Sequence, residues 1–307
     1  MKITVIGASG SVGAPAVFYL AVNKLADEIV MIGGRKQNVL QQHAIDIGTA
    51  ASAKDVLIRA GDYGDMEGSD IVINAAGAPQ GLIADRMEML PKNIELLKPM
   101  AAQIKQYCPD AFVITATNPV DPLNYATFLA GGFDRKKLIG YSLNDSFRFR
   151  EALANAYHVK VSQVDGLVIG EHGSTQVLLF STARINGEKI TVSEEIKASI
   201  RSGIPNILKR LEELQAGRTA GWTCAVGLAM IVRAVVENSG AVIPCSVVLD
   251  GEYGQRDLSM SVPVRLGKEG VAEILEYDLA ADEQEGVAKT VAALKTAAGI
   301  GACWSHR

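Results

Sequence analysis

The first half of this 307-residue chain repeats one pattern six times: a short, almost continuous apolar run, then a turn or helix start. The runs are Ile3–Ile6, Ile29–Ile32, Val56–Arg59, Ile71–Asn74, Phe112–Thr115 and a stretch around Leu138–Ile139. A strand that is apolar at successive positions has both faces covered, and strands of that kind are parallel ones joined by helical crossovers. Six such units predict a doubly wound parallel α/β sheet with helices on both faces, occupying residues 1–143.

The second half, residues 144–307, reads as a separate mixed α+β unit. Val164–Ile169 and Gln176–Ile185 read as strands of a twisted sheet, and Ser193–Gln215 and Thr223–Asn238 as long helices. Asn186-Gly187 between two apolar-rich segments is a two-residue hairpin turn, because both residues tolerate positive φ. The last helix is expected to begin at Asp282, with its carboxylate as cap and Glu285 reaching back. Val287, Val291, Leu294 and Ala298 then share one face. Beyond that strand-and-helix alternation no stretch of sequence is itself repeated, there is no low-complexity tract, and Gly299–Arg307 carries no readable signal.

Composition narrows the function. Hydrophobic residues at 48% and charged residues at 21% match a folded globular protein and exclude disordered and collagen-like chains. A net charge of −4 is too balanced for the broad positive field of a general nucleic-acid binder, so small-molecule chemistry is the better expectation. Cys108, Cys224, Cys245 and Cys303 lie far apart without a C-x-x-C pair, which signals neither a zinc site nor a disulfide framework. With no apolar leader and no long uncharged stretch, a cytoplasmic protein that binds no membrane is expected.

Gly7-Ala8-Ser9-Gly10-Ser11-Val12-Gly13 follows the first strand and opens the first helix. In that position Gly7 permits a tight turn, Gly10 lets backbone approach a pyrophosphate, and Gly13 allows close helix-to-strand packing, as in a dinucleotide-binding (Rossmann) unit. The second strand then ends Gly33-Gly34-Arg35-Lys36. An Asp or Glu there would bond the ribose hydroxyls of NAD and repel a 2′-phosphate. Two glycines leave room for that phosphate and Arg35 can grip it, with Lys36 nearby, so NADP is the expected cofactor, with NAD possible. The competing reading is a glycine turn beside two solvated cations.

Three further segments make a family resemblance explicit: Thr117-Asn118-Pro119-Val120-Asp121, Asp145-Ser146-Phe147-Arg148-Phe149-Arg150 and Ile169-Gly170-Glu171-His172-Gly173-Ser174. In register with the glycine loop, they resemble the lactate/malate dehydrogenase family over nearly the whole chain. Alcohol oxidation must move a proton off the substrate hydroxyl, and His172 is the candidate base. The resemblance implies that Asp145 bonds the other ring nitrogen. Arg148, one helical turn after Asp145, is suited to a two-point grip on a substrate carboxylate. His43, His158 and His306 read as satisfied surface or core residues, and Arg150 as structural.

The resemblance further implies that Ala76–Arg86 is a lid, with Arg86 polarising the reacting carbonyl. It also implies that Gly77, Asn93, Ala116 and Asn118 lie at the cofactor, Asn118 meeting the substrate too. Gln80 falls where malate-type members carry a second arginine, and an unpaired second carboxylate in a closed site is costly, so a monocarboxylate is favoured. Asp250-Gly251-Glu252-Tyr253 and Ser261-Val262-Pro263-Val264, by contrast, resemble the archaeal-type NADP-using malate branch. Gly81-Leu82-Ile83 and Ser174 depart from the family pattern. Trp222 falls in the segment expected to wall the substrate pocket, where the favoured reading is plain core packing.

The implied function is therefore reversible hydride transfer between a nicotinamide and a small L-2-hydroxy acid, with malate as the alternative substrate. Family members are dimers or tetramers, so a homodimer or homotetramer is expected. Two rivals remain. An NAD-dependent glycosidase would need metal ligands, which no Cys/His cluster offers; a noncatalytic NADP-binding module is favoured if the lid departures prevent closure.

Overall fold

The computed structural model describes residues 1–34, 37–78, 86–215 and 221–302. All six apolar runs form strands: β1 (Lys2–Ile6), β2 (Glu28–Ile32), β3 (Leu57–Gly61), β4 (Ile71–Asn74), β5 (Phe112–Thr115) and β6 (Leu138–Tyr141). Between them lie helices α1 (Gly13–Val22), α2 (Gln37–Ala50), α3 (Leu90–Tyr107) and α4 (Val120–Gly131). The strands run parallel in the order β6-β5-β4-β1-β2-β3. Neighbouring residues of one strand enter different cores. Ile3, Val5, Met31 and Ile73 pack with Leu20 of α1, whereas Ile6, Val30 and Val72 pack with Leu90 and Ile94 of α3. Burial on both faces is why the runs are apolar throughout.

The chain builds outward from β1 to β3, then crosses back to β4 on the other side of β1. That reversal leaves a crevice over the carboxyl ends of β1 and β4, the place where sheets of this kind bind ligands.

The second half continues with α5 (Asn144–Tyr157), β7 (Val164–Asp165), β8 (Val168–Ile169), β9 (Val177–Leu178), β10 (Arg184–Ile185) and β11 (Glu188–Lys189). It closes with α6 (Glu194–Glu213), α7 (Trp222–Val236), β12 (Val242–Asp250), β13 (Arg256–Gly267), β14 (Gly270–Ile274) and α8 (Ala281–Ala302). From the sequence, Val164–Ile169 and Gln176–Ile185 are two unbroken strands. In the structure they form an interrupted ribbon in which β8 pairs with β9 and β7 with β10. Between β7 and β8, Gly166 passes Phe149 so closely that a Cβ would lie 3.0 Å from its ring. The hairpin turn is as expected, with Asn186 and Gly187 at φ +52° and +79° between β10 and β11.

Three strands have no counterpart in the sequence analysis. β12 pairs antiparallel with β6, and β13 and β14 follow it, so the central sheet has nine strands among the described residues and is shared between the two halves. The start of α8 also differs. Glu283, rather than Asp282 with Glu285, ties it down, accepting from the Ala280 N–H at 3.0 Å and from the N–H and hydroxyl of Ser181. Asp282 instead pairs with Arg201. Val287, Val291 and Leu294 are buried as expected.

Candidate functional site

The glycine loop is pressed into the crevice. Gly7 has φ +81°, and a Cβ there would lie 2.6 Å from Ala76 N and 2.7 Å from Ala75 C; one at Gly13 would lie 2.8 Å from Ala8 Cα. The N–H groups of Gly7 and Ala8 both donate to Ile32 O, which ties the loop to the end of β2. No side chain caps α1 and its first turn holds no carboxylate, so the N-terminal end of the helix is suited to an anion. These residues fit the pyrophosphate of a dinucleotide. At the end of β2 there is open space around Gly34, while a Cβ at Gly33 would meet Leu40 at 3.1 Å. Arg35 and Lys36 lie outside the described residues.

Across the crevice, Asn93 clamps two loops. Its Oδ1 accepts from Ala78 N at 2.7 Å, and its Nδ2 donates to Asn118 O at 2.7 Å. Ala116 N donates to Asn74 O at the end of β4, and Gly77 passes within contact of Thr117. Gly77, Asn93, Ala116 and Asn118 are thus brought together beside Gly7. Gln80 lies outside the described residues; Arg86 opens a short 3-10 turn, Arg86–Met89, before α3.

The second cluster forms where β8 ends. Gly170, at φ +91°, exchanges two backbone bonds with Ser261 of β13, and the turn that follows presents His172. His172 Nδ1 lies 2.5 Å from Asp145 Oδ2, and both side chains are buried. Asp145 is in the first turn of α5; one turn later, Arg148 Nη1 donates to Asp145 Oδ1 at 3.2 Å. When a ring donates from Nδ1 to a carboxylate and carries no second proton, its Nε2 keeps a lone pair.

The start of α7 braces this cluster against the glycine loop. Asn144 accepts from Tyr141 Oη at 2.6 Å and donates to Cys224 Sγ at 3.2 Å, while a Cβ at Gly221 would overlap the Ser11 backbone. Trp222 begins α7 and is 70% exposed, which corrects the expectation of core packing. Arg150 is structural in its contacts: burial lowers its pKa, and its Nε donates to Gly166 O at 3.0 Å. His158 is exposed at the end of α5, in a left-handed conformation. His43 is not satisfied as expected, because its buried Nδ1 has no hydrogen-bond partner among the described residues. No cluster of metal-binding side chains occurs among the described residues.

One residue of the site carries no role in the sequence analysis. Asp121 Oδ2 accepts the His172 main-chain N–H at 2.7 Å, and burial pushes the Asp121 carboxyl up to about 6. Its signal was a charged residue inside the otherwise apolar Val120–Leu123 stretch, directly after Asn118-Pro119.

Comparison with known proteins agrees with this geometry. Residues 1–140 match the family model for the lactate/malate dehydrogenase NAD-binding domain, and residues 143–301 match that for the lactate/malate dehydrogenase α/β C-terminal domain. Malate dehydrogenase of Halobacterium salinarum is 35% identical over 292 residues, covering 92% of this chain and 94% of that one. Cryptosporidium parvum lactate dehydrogenase, solved with lactic acid and nicotinamide adenine dinucleotide, superposes with a TM-score of 0.91 at 30% identity, over 98% of this chain and 97% of that one. Malate dehydrogenase from the same organism gives 0.89 at 28% identity, over 98% and 99%. This chain belongs to the lactate/malate dehydrogenase family.

Proposed function

We propose that this dehydrogenase is an NADP-preferring L-2-hydroxy acid dehydrogenase acting on a small monocarboxylate of the lactate/pyruvate type. The observation that carries the reading is the single carboxylate, Asp145, in contact with both His172 and Arg148. His172 Nε2 takes the substrate hydroxyl proton, and Asp145 stabilises the imidazolium that results. Arg148 grips the substrate carboxylate with its forked guanidinium, and Arg86 polarises the oxygen at C2. The bound nicotinamide supplies the acceptor for the hydride. Residues 1–143 form the cofactor-binding half, which also contributes Arg86 to the substrate, and residues 144–307 supply His172, Asp145 and Arg148.

The absence of a carboxylate at Gly33-Gly34-Arg35-Lys36 supports NADP, and Gln80 supports a monocarboxylate. Malate is the second reading, favoured by relatives such as the Halobacterium enzyme that bear the malate name. Assembly as a homodimer or homotetramer is part of the proposal. Trp222, Val226 and Met230 leave an exposed apolar stripe along α7, which packs against α1. So is a cytoplasmic setting, supported by the absence of a disulfide among Cys108, Cys224 and Cys245 of the described residues. No helix among the described residues is long and apolar enough to cross a membrane.

The test is turnover of pyruvate, oxaloacetate and larger 2-oxo acids, each with NADPH and NADH. The expected result is the highest kcat/KM for pyruvate with NADPH. Preference for oxaloacetate would establish the malate reading, and binding of NADPH without turnover of any acid would leave a noncatalytic module.

A further inference from the structure

Asp121 is the second residue of α4 and is 1% exposed. One of its oxygens accepts the His172 N–H across 51 residues of sequence, and the other is buried beside Ser246 without a hydrogen bond of ordinary geometry among the described residues. Asn124, one turn on and also fully buried, donates to Ser246 O at 3.2 Å and Ser259 Oγ at 3.0 Å, and its own Oδ1 has no hydrogen-bond partner among the described residues. The turn after β8 brings His172 and Glu171 to the Asp121 carboxyl, and β12 brings Ser246. A buried polar group without partners is costly unless it does something else for the fold or the site.

What Asp121 holds is the main chain of His172 itself. The next backbone anchor of that turn is two residues back, where Gly170 pairs with Ser261. Asp145 fixes the ring through Nδ1, but a ring can pivot about its own backbone; fixing both places Nε2 at one height over the crevice. α4 also begins directly after Asn118 and Pro119, so the same bond sets the distance between His172 and the Asn118 loop.

We propose that Asp121 is a positioning residue that acts through the His172 main chain, by accepting its N–H, rather than through its own charge. The inference rests on His172 being the proton acceptor. Displacing a reacting group by about 1 Å costs on the order of 10²-fold in rate. Asp121→Ala is therefore expected to lower kcat by about 10- to 100-fold, with cofactor Kd within about threefold of wild type. It should also displace the pH profile of kcat, because the ring is no longer held squarely against Asp145.

Asp121→Asn keeps an accepting oxygen for the His172 N–H and the same side-chain shape, so it should recover most of that turnover. The test is steady-state kinetics and pH profiles of both variants in the full chain, with His172→Asn in parallel. An Asp121→Ala enzyme with kcat near wild type and an unmoved pH profile overturns the inference, as does an Asn variant as impaired as the Ala one. Should the Ala variant fail to fold, hydrogen exchange of the His172 amide in the wild-type protein decides. Slow exchange is expected, and exchange as fast as an exposed loop amide overturns it. Full turnover by His172→Asn would sink the assignment of His172 instead.

Discussion

Oδ2 of Asp145 lies 2.5 Å from Nδ1 of His172, and neither side chain is open to solvent. The other oxygen of the same carboxylate takes the Arg148 bond. One buried carboxyl group therefore holds His172 and Arg148 together, although the two reach it from different elements.

Asp145→Asn leaves the shape of this contact and removes its charge. The amide can present its N–H to Nδ1, which favours the wrong tautomer, and it no longer stabilises an imidazolium. A fall in kcat of about 10²- to 10⁴-fold is expected, with cofactor affinity within about threefold of wild type. Steady-state kinetics with a parallel cofactor titration checks it, and an unchanged kcat would remove Asp145 from proton transfer.

Gly7 sits at φ +81° with Ala75 and Ala76 closing on the place where a Cβ would be. Gly7→Ala is expected to cost about 1–2 kcal/mol from the backbone conformation alone, and the displaced loop should weaken cofactor binding about tenfold or more. Thermal unfolding and fluorescence titration with NADPH measure the two effects. Unaltered affinity would mean that the loop does not carry the pyrophosphate.

Arg35→Ala should weaken NADPH far more than NADH, by about 10- to 100-fold in Kd for the phosphorylated cofactor, as expected for loss of a charge-assisted grip on phosphate. Equal losses for both cofactors would place the 2′-phosphate elsewhere.

Asp121 gives a pH dependence with a definite sign. Its carboxyl rises on folding from 3.8 to about 6, chiefly through burial. The folded state thus holds that proton more tightly than the unfolded chain. The corresponding stability is complete below about pH 3.8 and is lost as pH rises through about 6, amounting to about 3 kcal/mol at 1.36 kcal/mol per unit. Asp121→Asn should accordingly be more stable than wild type at pH 8, with the difference vanishing near pH 4. Urea unfolding at the two pH values checks it; a less stable variant at pH 8 would contradict the buried charge.

The parallel sheet was legible because each of β1 to β6 is apolar at successive positions, and burial on both faces is the one environment that demands this. β12 and β13 were not. Pro244, Pro263 and the serines 246, 259 and 261 break their apolar runs. Those serines are buried only because they bond one another or Ser142, at 2.9 Å for Ser246 with Ser259 and 2.7 Å for Ser142 with Ser261. Such pairing lies between residues far apart in the chain and leaves no local pattern. The same reason hid Asp121. Alone, it reads as an acidic residue favoured at a helix start, and its partner lies beyond the reach of any helical or strand period. His172, Asp145 and Arg148 were legible because their motifs occur in family register, with the helical spacing of Asp145 and Arg148 as independent support.

The most direct measurement of the central claim is the turnover of His172→Asn at saturating cofactor and 2-oxo acid. With its general base removed, the enzyme is predicted to bind NADPH normally while kcat falls by roughly 10²-fold or more. A kcat within a few-fold of wild type would show that the proton is carried by another group.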